Sequence, residues 1–162
     1  VSFGQSMSEA LGFLKNNISD WACERVAHGT LIERISFSYN YDFTKLIIKT
    51  KMPEYSKTNG YSVNEIELSK ILRIEAESNS VKCAGIRIIS EPFGIQSYLI
   101  SRNGNILISK SKMNEFFSEK GWLNEGIRIK NDYSFNERSK RIKKALEFMA
   151  VENGAKLKEL YF

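Results

Sequence analysis

Reactive side chains are few and scattered in this sequence. It holds one histidine, His28, and two cysteines, Cys23 and Cys83, sixty positions apart. Acid–base and nucleophilic chemistry needs an imidazole or thiol beside a second reactive group. A zinc centre needs three or four ligands at recognised spacing. His28 sits in Arg25-Val26-Ala27-His28-Gly29-Thr30 with no partner at readable distance, so it reads as a turn-capping or exposed imidazole. Cys23 and Cys83 would pair in an oxidising compartment if folding brings their Cα atoms within about 7 Å. The plainer reading is two small, buried, unpaired thiols. No cofactor loop or metal spacing is present, and the expectation is a protein without catalysis, cofactor or metal.

Three other groupings bear on function. Glu65 with Glu67, and Glu75 with Glu77, alternate along extended runs and share a face. Retaining glycosidases need two carboxyl groups about 5 Å apart. Charge alternating opposite an apolar face is also what any solvated strand shows, and that reading is preferred. Tyr39, Tyr41, Tyr55, Tyr61 and Tyr98 could line a sugar- or peptide-binding surface, but tyrosine is an ordinary strand residue. The best candidate surface is Lys140, Arg141, Lys143 and Lys144 on a C-terminal helix. At 100° per residue these fall mostly opposite the stripe of Ile142, Ala145, Leu146 and Met149. Such a face suits phosphates, acidic headgroups or an acidic protein. No aromatic residue interleaves with it, which argues against nucleic acid.

The elements that must position these groups follow from periodicity. Met7, Ala10, Leu11, Leu14, Ile18 and Trp21 recur at helical steps, predicting a helix over 6–21 capped by Ser6 or Ser8. Ile35, Phe37, Tyr39 and Tyr41 alternate with polar residues, as in a half-buried strand. A turn at Asn40-Tyr41-Asp42 leads to a second run through Leu46-Ile47-Ile48, ending near Met52. A loop is expected from Pro53 to Ser62. Apolar residues at 66, 68, 72, 74 and 76 predict one strand, or two broken near Ser69-Lys70, although Ser62 and Glu65 have the capping-box spacing of a helix. A turn at Ser78-Asn79-Ser80 precedes a strand over 81–89. Asn103-Gly104 marks a tight hairpin within Tyr98–Ser109, both residues tolerating positive φ. Ser111 is expected to cap a short helix with Met113, Phe116 and Phe117, ended by Gly121. Ile127 and Ile129 suggest one more strand. The closing helix spans about 135–152, with Ser134 and Glu137 as capping box and Asn153-Gly154 as its stop. Leu157, Leu160, Tyr161 and Phe162 then pack back onto the body.

At 162 residues, 42% apolar and 27% charged, the chain suits one globular domain over 6–162. No apolar run approaches the ~20 residues of a spanning helix. The net charge of +5 comes from intermixed Lys, Arg and Glu and bears mostly on solubility. Helix, many strands, helix implies an α+β fold: a largely antiparallel sheet of six to seven strands with an N-terminal and a C-terminal helix packed on it. The alternative is a barrel resembling the pleckstrin-homology fold, closed by the last helix. Val1-Ser2-Phe3-Gly4-Gln5 resembles the end of a secretory signal peptide, with a flexible terminus as the other reading. Glu137 to Leu146, with its Arg-x-x-Lys-Ala-Leu core, resembles the closing helix of small uncharacterised exported proteins of Gram-negative bacteria. These resemblances imply a periplasmic or secreted domain that acts by binding or structural association. The alternative is a cytoplasmic module that binds an anionic partner, nucleic acid or acidic lipid, through the basic helix.

Overall fold

The computed structural model describes residues 6–21, 26–27, 30–31, 35–51, 60–77, 83–113, 115–116, 127–130 and 133–158. Helix α1 (Met7–Trp21) starts where Ser6 Oγ accepts the Glu9 amide at 3.0 Å. Its buried face is Ala10, Leu14, Ile18 and Trp21. A short ladder follows, β1 (Val26–Ala27) with β2 (Thr30–Leu31). The main sheet has five antiparallel strands: β3 (Ile35–Tyr39), β4 (Lys45–Lys51), β5 (Tyr61–Glu67), β8 (Ile95–Ile100) and β9 (Ile106–Met113), in the order β3-β4-β5-β8-β9. A second sheet is centred on β7 (Cys83–Ser90). It is flanked by β6 (Ile71–Glu77) on one side and by β10 (Glu115–Phe116) and β11 (Ile127–Lys130) on the other. Helix α2 (Phe135–Glu152) packs on β6, β7, β11 and α1. The chain is α+β with antiparallel sheets, and no described helix is long and apolar enough to cross a membrane.

The two sheets are one ladder bent at a corner. A 3-10 turn, Leu68–Lys70, joins β5 to β6, and residues 91–94 join their partners β7 and β8. Among the described residues the sheets stay open, so the barrel alternative is not realised. Phe37, Leu46, Ile48, Ile66 and Ile95 face inward and share a core with Leu68, Ile71, Ile74, Ile86, Ile88 and the apolar stripes of both helices. Each such side chain contributes about 1.5–3 kcal/mol. One polar pair sits in this face: Asn64 and Ser97 lie opposite each other in register, and Ser97 Oγ donates to Asn64 Oδ1. Hydrogen bonding makes that burial tolerable.

Several expectations need correction. Ser111 and Met113 belong to β9 and Phe116 to β10, so no helix forms there among the described residues. Tyr61 and Ser62 already belong to β5, and Tyr41 lies in the turn rather than in β3. The break near Ser69-Lys70 is a 3-10 turn, not a helix from Ser62. That turn, with a register shift between Ile71 and Arg73, directs Ile71 inward in place of Leu72. The freed Leu72 carbonyl accepts the Lys158 amide at 2.7 Å, which ties the tail after α2 to this edge, and Leu157 packs on the core. The 98–109 hairpin forms, but only Gly104 takes positive φ (86°) and the loop runs from Ser101 to Asn105. Ser134 takes helical φ/ψ and makes no side-chain cap bond, so the capping box is not built. Gly154 (φ 88°) ends α2 as expected.

Two phenols tie elements together. Tyr39 OH donates to the Met7 carbonyl at 2.8 Å, joining β3 to α1, and burial pushes its ionisation well above the ordinary phenol range. Tyr98 is pushed up to about 12 by desolvation and by the Glu65 carboxylate, to which it donates at 3.1 Å. Both phenols hold their protons more tightly folded than unfolded. Their contribution is therefore complete below the unfolded value, about 10, and is lost as pH rises towards the folded values. Urea midpoints are expected to fall between pH 10 and about 12, and Tyr98→Phe to flatten part of that fall. An unchanged slope in Tyr98→Phe would contradict this origin.

Candidate functional site

Among the described residues, those singled out for chemistry do not converge. His28, Cys23 and Tyr55 lie outside the described residues, as does any Cys23–Cys83 pairing; Cys83 itself lies in β7. Three of the four candidate carboxylates are each engaged separately, and the side chain of Glu77 lies outside the described residues. Glu65 accepts from Tyr98, Glu67 pairs with Lys70 at 3.3 Å, and Glu75 pairs with Arg73 at 2.8 Å and Arg87 at 4.0 Å. Among the described residues no three His, Cys, Asp or Glu gather as metal ligands. The basic face also divides. Lys140, Lys143 and Lys144 are exposed, and no ion pair of theirs occurs among the described residues. Arg141 instead lies over the rings of Phe13 (5.2 Å) and Trp21 (5.4 Å) on α1, with Arg138 also over Trp21 at 5.6 Å. Its guanidinium locks helix to helix, an interaction worth about 0.5–2 kcal/mol.

A different cluster emerges at the corner of the bent ladder. Consecutive amides at the start of the 3-10 turn donate to two flanking turns: Glu67 N–H to the Gly94 carbonyl at 2.9 Å, and Leu68 N–H to the Thr44 carbonyl at 3.0 Å. Glu91 N–H donates to the Lys70 carbonyl at 2.8 Å and closes the corner. The β3–β4 turn and the β7–β8 turn thus flank the end of β5, one on either side. Their tips carry Tyr41 (92% exposed), Phe43 (53%) and Phe93 (63%), three of the five large apolar side chains exposed among the described residues.

Both phenylalanines occupy left-handed backbone, φ 62° at Phe43 and 63° at Phe93. A side chain there costs about 1–2 kcal/mol, which glycine avoids. The chain supplies its own comparison. In the β8–β9 hairpin, Gly104 donates its amide to the Ser101 carbonyl three residues back and takes the positive φ. In the β3–β4 hairpin, Phe43 donates to the Asn40 carbonyl in the same way, and the strained position holds an aromatic ring.

The strain is held by local bonds. Asn40 Oδ1 accepts the Lys45 amide at 2.8 Å, and Asn40 Nδ2 donates to Asp42 Oδ1 at 2.6 Å. Thr44 Oγ1 donates to the same Asp42 oxygen at 2.6 Å. These bonds, that from Thr44 foremost, hold the Asp42 carboxyl below the ordinary carboxylate range. Phe43 rests edge-on against Tyr39, with centroids 5.7 Å apart. In the other turn Gly94 donates to the Glu91 carbonyl at 3.1 Å, and its hydrogen faces Ser90 Oγ, which a Cβ would approach to 2.5 Å. Pro92 before Phe93 sets the turn.

Comparison with protein-family models, with curated proteins and with solved structures finds no match.

Proposed function

We propose that this chain is a non-catalytic domain that works by holding a partner, with the corner of Tyr41, Phe43 and Phe93 as its contact surface. One observation carries this reading. Two turns that flank the end of β5 each place a phenylalanine, half exposed or more, at a backbone position that glycine would occupy without strain. Strained positions held by their surroundings cluster at ligand-contacting sites. Rigid aromatic side chains make good contact anchors, because they bring large area at low entropic cost. The wiring of Asn40, Asp42 and Thr44 supplies the rigidity.

A second reading has its own observation. Lys140, Lys143 and Lys144 form an exposed basic row on α2 without ion pairs among the described residues, a surface suited to an anionic partner. One experiment separates the two. A photo-crosslinking amino acid is placed singly at Tyr41, Phe93, Lys144 and, as control, Ser36, and the protein is irradiated in the cell that makes it. Adducts from positions 41 and 93 but not from 144 or 36 are expected. Adducts from 144 alone would favour the basic row. Equal yield from all four, or none from 41 and 93, would remove the corner as contact surface.

A further inference from the structure

We infer that the corner recognises a cationic segment of a partner protein, one presenting arginine or lysine beside apolar residues; this rests on the corner being the contact surface. Aromatic faces are electron-rich and attract guanidinium and ammonium groups. The rings here are accompanied by carboxylates. Asp42 lies between Tyr41 and Phe43 and is fully exposed, and Glu91 is exposed two residues before Phe93. The bonds from Thr44 and Asn40 keep Asp42 ionised. Two cations among the described residues lie on the same elements. Lys70 is engaged by Glu67, and Lys45 is half-buried beside the turn. In a chain of net charge +5, each of the two turns sets an exposed carboxylate next to an exposed ring. An acidic bilayer fits poorly, since insertion of the rings would carry two carboxylates towards anionic headgroups and strip their water. A basic protein segment satisfies rings and carboxylates together.

The test is amide chemical-shift mapping on the isotope-labelled full chain with defined probes. These are a peptide of repeated Gly-Leu-Arg, the same peptide with Glu for Arg, and vesicles of phosphatidylcholine with phosphatidylglycerol. The arginine peptide is expected to shift residues 40–44, 67–70 and 91–94, and the glutamate peptide and vesicles to leave them unmoved. Glu91→Lys should weaken the arginine peptide by about fivefold, the scale of one exposed charge contact. Its side chain makes none of the corner's bonds, so the fold is retained. Lack of shifts with the arginine peptide, equal shifts with the glutamate peptide, or vesicle uptake through the corner would overturn the cation preference. Crosslinks from positions 41 and 93 that persist despite any of these results would leave the contact surface standing, whereas their absence would remove both.

Discussion

Gly60→Ala is expected to lower the melting temperature more than a methyl added at Gly12, Gly94, Gly104 or Gly154. Gly60 precedes β5, where the ladder to β8 begins. A Cβ there would stand 1.8 Å from the Ile100 carbonyl oxygen, 2.9 Å from its carbon and 3.0 Å from Ser101 Cα. All three are backbone atoms, so no rotamer change relieves the overlap and β5 must move away from β8. Overpacking of this kind costs about 3 kcal/mol or more, roughly 6–12 °C in a domain of this size. Gly12→Ala is the matched control. It lies inside α1 with nothing within 4 Å of the added carbon, so the better helix former should stabilise by about 0.5–1 kcal/mol. Thermal melts followed by circular dichroism measure both. A Gly60→Ala protein melting with the parent would mean that β5 and β8 are not held in this register.

Much of this fold was legible because its signals are local. The stripe from Ala10 to Trp21 and the alternation from Ile35 to Tyr39 each report one element's buried face. The break at Ser69-Lys70 showed as a lapse in alternation. The false helix at Ser111 came from Met113, Phe116 and Phe117, whose spacing imitates a helical stripe. What overrides it is pairing: β8 continues against β9 as far as Ile95 opposite Met113, and β10 goes on against β7. Sequence spacing is silent about partner strands.

The site was far less legible, for a related reason. Pro92-Phe93-Gly94 announces a turn, and so does Asn40-Tyr41-Asp42, but neither states the sign of φ at the aromatic residue. Nor does either show that both turns are bonded to the end of the same strand, which depends on amides of Glu67 and Leu68 more than twenty residues away in each direction. Arg141 was misplaced by the opposite error. A helical wheel puts it with the lysines, yet its long arm reaches the rings of Phe13 and Trp21 because α1 lies beside α2. The basic face is therefore three lysines rather than four cations.

Leu146→Ala tests how far the contact corner depends on the helices behind it. Leu146 is fully buried in the core that α2 shares with α1 and β6. Truncation should cost about 2–5 kcal/mol, the range for buried leucines whose cavity relaxes only partly. Lys144→Ala, two residues earlier on the exposed face, should stay within about 0.5 kcal/mol, and urea midpoints compare the two. The corner is wired by its own short-range bonds, Asn40 to Lys45 and Thr44 to Asp42, and by the amides of Glu67 and Leu68. Well below its melting range, Leu146→Ala should therefore crosslink from position 41 as the parent does, although it unfolds earlier. Loss of that crosslinking while the protein is still folded would show that α2 positions the tips, and would move the contact surface from the turns to the helix-backed face.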